Sequence, residues 1–284
     1  MKSTITITQI AQESGVSVAT VSRFLNGKVP VSADKKARIE AVVRKYDFTP
    51  NALARGLISK RTMTLGVILP DITNPYFATI FQEVQRCAAE EGYSVYLCNT
   101  RFHHGDAPID ETGYFRMMMD KKVDGILIIG GQLDMVEITP AYKEALNKLS
   151  ASLPVVAAGR EFPGAGCIFI DSENGSGVTT AYNYLSSLGH KDIAFVGGQP
   201  GVTITETRLE SYKKAAAASG RQVCEDLISL SDYYLPDGYQ AAEALISRNV
   251  PFTAVITMND NVALGAIRAF ADHGLSVPRD VALI

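Results

Sequence analysis

The chain of 284 residues is 46% hydrophobic and 20% charged, with four cysteines and a formal net charge of −3. Its opening is polar and its apolar runs stop well short of spanning length, which argues against a secretory leader or a transmembrane segment. Cys87, Cys98, Cys167 and Cys224 lack metal-like or CxxC spacing and suit buried thiols in a reducing cytoplasm. The charge is uneven. Residues 1–61 hold eleven Lys and Arg against four Asp and Glu, a balance of +7 that leaves −10 for the remainder. A basic head on an acidic chain suggests that only the head meets a polyanion.

The stretch from Thr6 to Asn26 reads as a helix-turn-helix. Ile7, Ile10 and Ala11 share one face of a short first helix. Gly15 supplies the left-handed backbone of a tight turn, Val16 plugs it, and Ser17 is a good N-cap for the next helix. In that helix Val21 and Leu25 face inward, while Thr20, Ser22 and Arg23 are left outside. An Arg among small polar groups suits the major groove, where Arg pairs bidentately with guanine. Each feature alone fits an ordinary helical hairpin; together, at a terminus, they are far more specific. Through Ile10-Ala11, Gly15-Val16-Ser17, Ala19-Thr20-Val21-Ser22-Arg23 and Asn26 the sequence resembles the lactose-repressor/galactose-repressor (LacI/GalR) family of bacterial transcription regulators.

The resemblance implies that Val18 and Ala19 stand where the family varies its base-reading side chains. Neither can hydrogen-bond a base edge, so both would touch a thymine methyl while Arg23 does the polar reading. The spacing of 18, 21 and 25 equally permits Val18 as a third core residue. Ser17, Thr20, Ser22 and Asn26 suit phosphate positioning.

Ser32 is placed to cap a third helix running to about Tyr46, with Ile39, Val42, Val43 and Tyr46 on its apolar face. Pro50 to Leu57 could form a short helix capped by Asn51, marginal in water and weakened by Gly56. On residues alone this is a linker. In the resembled family the matching stretch is a hinge helix that folds on operator DNA, which assigns Leu57 as a minor-groove wedge and Ala54 as the close-approach residue.

From Thr64 the pattern alternates. Strand-like runs appear at Leu65–Leu69, Val95–Cys98, Gly125–Ile129, Pro154–Ala157, Ile193–Val196 and Ala254–Thr257. Helical patterns fall between most of them, such as Ala78–Glu91, Tyr114–Lys121, Val178–Leu188, Leu209–Ala218 and Asn261–His273. Such alternation predicts parallel α/β sheets, and the length suits two lobes dividing near Arg160. The expected organisation is a small all-α head (1–49), a hinge or linker (50–61) and a core of two parallel-sheet lobes (62–284). The resemblance gives that core the architecture of the periplasmic sugar-binding proteins. It also implies further chain beyond Ile284, without which the core is expected to be incomplete and to fold poorly.

Ligands in open α/β sheets sit beyond the carboxyl ends of the strands. Asp71, Asn74, Tyr76 and Phe77 follow the first strand, Arg160 the fourth, and Asp171 a short strand at Cys167–Ile170. Arg208 opens a helix after Gly197-Gly198, and Asp260 follows the last internal strand. These groups suit a polar ring with an apolar face. The resemblance makes Arg208 and Asp260 the pocket arginine and aspartate, and Tyr76 and Phe77 the aromatic pair. One departure is Ser211, where the family has a glycine three residues after the arginine.

His103-His104 reads as a solvated loop rather than a metal site. The Gly197–Gly201 run lacks GxGxxG or GK[ST] form, and Met117-Met118-Met119 reads as core filling. No cofactor is expected, and no catalytic constellation is present to propose. The expected protein is a homodimeric, cytoplasmic repressor that binds palindromic operator DNA under control of a sugar or nucleoside-like effector. Two other readings stay open: a periplasmic-type solute-binding protein without regulatory role, and an α/β enzyme whose head is an accident.

Overall fold

Thr6 starts the first helix by reciprocal capping: its Oγ1 accepts from Gln9 N at 3.3 Å while its own N donates to Gln9 Oε1 at 2.8 Å. The computed structural model describes residues 5–26, 31–48, 61–101 and 110–284, which fall into two units, Met1–Met63 and Thr64–Ile284. The stretch carrying Asn51, Ala54 and Leu57 and the pair His103-His104 lie outside the described residues.

In the first unit, α1 (Ile7–Ser14), α2 (Val18–Asn26) and α3 (Ala33–Lys45) surround one small core. Ile5, Ile10, Ala11, Val21, Ile39 and Val42 are buried in it, with Val16, Phe24 and Leu25 packed alongside. Gly15 ends α1 at φ 64°, and its N–H reaches the carbonyls of Ala11 and Gln12. Two expectations for α3 need correction. Ser32 precedes it but makes no capping bond through its side chain. Tyr46 is 38% exposed, and its hydroxyl donates to Glu13 Oε1 at 2.5 Å beside the Lys45–Glu13 ion pair. Tyr46 therefore ties α3 to α1 at the surface instead of filling the core.

The second unit holds two all-parallel sheets. The first, in order β2-β1-β3-β4-β5, is built from β1 (Thr64–Leu69), β2 (Ser94–Asn99), β3 (Gly125–Ile129), β4 (Val155–Ala158) and β5 (Ile168–Ile170). The second, in order β7-β6-β8-β9, contains β6 (Ile193–Val196), β7 (Ile228–Ser229), β8 (Ala254–Thr257) and β9 (Ala282–Leu283). Central strands such as β6 are buried along their whole length, as parallel strands covered by helices on both faces must be. The change of sheet comes later than a division near Arg160, because β5 pairs with β4 and keeps the first sheet running to Ile170.

The crossover helices are α4 (Pro75–Glu90), α5 (Glu111–Asp120), α6 (Pro140–Ser152), α7 (Gly175–Ser187), α8 (Thr203–Ala218), α9 (Leu235–Ser247) and α10 (Asp260–Asp272). Helices α9 and α10 meet backbone to backbone: a Cβ on Gly238 would fall 2.3 Å from Val262 O, and one on Gly265 2.1 Å from Leu235 O. The Ser211 departure has a local explanation, since its Oγ occupies the space a Cβ on Gly175 would need, 2.4 Å away. Of the three consecutive methionines only Met118 is fully buried, while Met119 is 39% exposed. Cys98 is buried, but Cys87 is exposed, contrary to a uniformly buried set.

Candidate functional site

In the head, α2 separates its two faces cleanly. Val21 is fully buried, whereas Val18 is 43% exposed and takes no part in the core. The core reading of Val18 is thereby excluded. Ser17, Ala19 and Arg23 are also exposed, and Thr20 and Ser22 are half-buried. Ser17 Oγ accepts from Thr20 N at 3.2 Å and lies 2.9 Å from Thr20 Oγ1, fixing the start of α2. No carboxylate among the described residues pairs with Arg23, so its guanidinium fork is available to an outside acceptor.

In the second unit a cavity of about 240 Å³ opens at the carboxyl ends of both sheets. Thr100 and Arg101 reach it from the end of β2, Gly131, Gln132, Asp134 and Met135 from β3, and Gln199 from β6. Asp232, Tyr233 and Tyr234 come from β7, and Met258 and Asn259 from β8. The starts of α4 and α8 contribute Asn74, Tyr76, Phe77, Ile204 and Arg208. This is the crevice position expected of ligand sites in open α/β sheets.

Arg208 is the central cation of the cavity. Its Nη1 donates to Met258 O and its Nη2 to Asn174 Oδ1 at 3.3 Å, both neutral acceptors. Burial lowers the pKa of the guanidinium, and no carboxylate among the described residues offsets that cost. With five N–H donors in all, Arg208 keeps donors for a ligand. Tyr76, 62% exposed at the rim, meets Phe77 edge-on at 5.1 Å between ring centroids.

Asp134 lies at the end of a short helical turn, Gly131–Asp134, that follows β3. Burial, and after it the charge of Asp171, raises its carboxyl to about 6. Behind this turn Glu111 is buried, accepting from Gln132 N and from Tyr142 Oη, each at 2.9 Å. Burial outweighs those bonds and raises Glu111 to about 7. Gly130 and Gly131 have φ of 69° and 70°, and a Cβ on Gly131 would sit 1.9 Å from Glu111 Oε1. The glycine is thus required twice, by conformation and by space.

The two sheets are also joined directly across the crevice. Arg101 Nη1 pairs with Asp232 Oδ2 at 3.2 Å, both side chains about 15% exposed, and Tyr234 Oη donates to Asp71 Oδ2 at 2.8 Å. Burial pushes Asp71 up, but bonds from Thr73 and Tyr234 and the charge of Arg101 together hold it below the usual carboxylate range.

Of the residues expected in the site, Asn74, Tyr76, Phe77 and Arg208 line the cavity together. Asp71 stands behind the lining and orients Tyr234. Arg160, Asp171 and Asp260 are exposed and outside the lining. Asp260 is the first residue of α10. Its neighbour Asn259 caps that helix through Val262 N at 2.9 Å and is the residue that reaches the cavity. Gln132, Asp134 and Arg101 are lining residues that the sequence expectation lacks, although they follow β3 and β2 just as Asp71 follows β1. Asp232, Tyr233 and Tyr234 follow β7, whose two residues leave no periodic signal.

A helix-turn-helix unit and a two-sheet core with a ligand-sized cavity define a DNA-binding regulator with an effector domain. Residues 6–51 match the family of bacterial regulatory proteins of lacI type, and residues 62–284 match the periplasmic binding proteins and sugar-binding domain of the LacI family. The chain belongs to the LacI family and is a DNA-binding transcription regulator. It is 32% identical over 281 residues to catabolite control protein A of Staphylococcus xylosus, covering 99% of this chain and 82% of that protein. The lac repressor dimer bound to operator and an anti-inducer shares the fold, with a TM-score of 0.82 at 22% identity over 98% of this chain and 81% of that one. A LacI-family regulator from Enterococcus faecium with bound ribose superposes with a TM-score of 0.63 at 25% identity, covering 78% and 76% of the two chains. These relatives are regulators, not enzymes. No described helix is long and apolar enough to cross a membrane, and no group of three or more His, Cys, Asp or Glu among the described residues could hold a metal ion.

Proposed function

We propose that the protein is a homodimeric repressor that binds a palindromic operator through its head and is switched by a small-molecule effector, a sugar or nucleoside-like compound, in the crevice cavity. The observation that carries this reading is Arg208: a half-buried guanidinium facing an aromatic-rimmed cavity with only neutral partners. A buried cation without a counter-charge is costly and is retained where a ligand completes it. The cavity volume of about 240 Å³ lies below the usual range for drug-sized ligands and suits one ring better than two. The ribose in the Enterococcus faecium relative is a ligand of that size class.

On the DNA side, Arg23 reads a guanine, Val18 and Ala19 touch base edges, and Ser17, Thr20, Ser22 and Asn26 position the helix on phosphates. Asn51, Ala54 and Leu57 are proposed as a hinge that enters the minor groove, a role resting on their sequence alone. An effector that fits one arrangement of the two sheets better than another changes operator affinity by its differential affinity for the two.

The test is a thermal-shift screen of the protein against sugars, sugar phosphates, nucleobases and nucleosides. A saturable rise in Tm names the effector class, because a ligand of the native state stabilises by mass action. No shift across the panel would contradict a small-molecule cavity of this kind.

A further inference from the structure

Asp134 and Arg208 line the same cavity and carry opposite charges, yet they are not paired with each other. Asp134 makes no hydrogen bond among the described residues, and its half-buried side chain stands in the cavity wall. It therefore has no structural partner to orient and no bond to lose. The groups around it are of the wrong kind to neutralise it: Asp171 and Glu111 are carboxyls, and Tyr76 and Tyr233 are phenols. A carboxylate so placed is an acceptor at the cavity wall that no described residue engages. Residues of that sort are expected where the missing partner is a ligand.

We infer that Asp134 selects the effector, accepting hydrogen bonds from a protonated amine on a single-ring ligand whose hydroxyl oxygens accept from Arg208. The ligand class is an amino sugar. This rests on the effector reading above and sharpens it. An ammonium supplies three donors and a positive charge to a carboxylate that lacks both, and a charge-assisted bond is roughly twice as strong as a neutral one. A neutral hydroxyl at the same place would leave the charge of Asp134 uncompensated. An anionic substituent there would meet like charge from Asp134, Asp171 and Glu111 and be rejected.

The experiment is calorimetric titration of the full chain with glucosamine, galactosamine and mannosamine, each beside its parent hexose, for the wild type and Asp134→Asn. In the wild type one amine is expected to bind at least about tenfold tighter than its parent, the scale of one added charge-assisted hydrogen bond. In Asp134→Asn that preference should vanish, the ratio of amine to parent-hexose affinity falling to about one. The same variant should melt about 2–4 °C higher without ligand at neutral pH, since it removes an uncompensated charge. A wild type that binds hexoses but shows no amine preference overturns the role of Asp134 and leaves the effector reading standing. A preference that survives in Asp134→Asn does the same. No binding of any of the six by either protein overturns this inference, and the sugar form of the underlying reading falls with it.

Discussion

The helix-turn-helix unit and the crevice cavity solve opposite problems. In the head, the side chains aimed at DNA stand outside a finished core: Val18 is 43% exposed, while Val21 three residues on is fully buried. Function there costs the fold nothing. In the cavity, the groups aimed at a ligand are part of the wall, and two of them, Arg208 and Asp134, have no counter-charge paired to them among the described residues. Stability and recognition are therefore separable in the head and coupled in the cavity, and substitutions should show different signatures in the two places.

The largest effect is expected at Gly131. Gly131→Ala combines a left-handed backbone with a Cβ driven into Glu111 Oε1, and should destabilise the second unit by about 3 kcal/mol or more. Thermal melting of the full chain should show the loss, together with loss of effector binding, while operator-length DNA is still bound nonspecifically by the head. Ile10→Ala is next. It empties part of the small core of the head and should cost about 2–4 kcal/mol there alone. Operator binding measured by fluorescence anisotropy should collapse, with ligand binding to the cavity unchanged; a parallel loss of ligand binding would break the comparison.

A smaller effect concerns pH. Glu111 and Asp134 both titrate above their ordinary values of 4.5 and 3.8, at about 7 and about 6. The native state therefore holds more protons than the unfolded chain in this window, so stability is greatest below it and falls as pH rises through 4 to 7. The double variant Glu111→Gln, Asp134→Asn should flatten the dependence of Tm on pH above 4. An unchanged slope would remove these two carboxyls as its source. Smallest in stability is Arg23→Ala, expected to leave the free energy of unfolding within about 0.5 kcal/mol of wild type. It should nonetheless lose about 1–3 kcal/mol of discrimination at one symmetric base-pair position in a randomised operator library.

The head was almost wholly legible in the sequence because its signals are local. Gly15 at its turn, Ser17 at its cap, and Val21 and Leu25 four residues apart all act within one or two helical turns. The exceptions are Ser32, which precedes α3 without a side-chain capping bond, and Tyr46, which bonds to Glu13 from 33 residues away, as no periodicity reveals. In the second unit the strands and the strand-end rule led to Arg208, Asn74, Tyr76 and Phe77. They also led to Asp260, one residue past the Asn259 that enters the cavity, because a helix start and a site residue look alike in sequence. Asp134 was hidden for a different reason: its significance lies in having no partner, a property of three dimensions only. Strand β7 was hidden by its length, and with it the Asp232-Tyr233-Tyr234 wall.

The most direct measurement is the affinity for a palindromic operator, selected from a random library, with and without the ligand that raises Tm, in the wild type and in Arg208→Ala. The expected result is a change of about 5–150-fold on adding ligand to the wild type, the usual range of coupling between two sites, and none in the variant. Operator affinity indifferent to a ligand that binds the cavity would contradict the coupling of cavity to DNA on which the proposed switch depends.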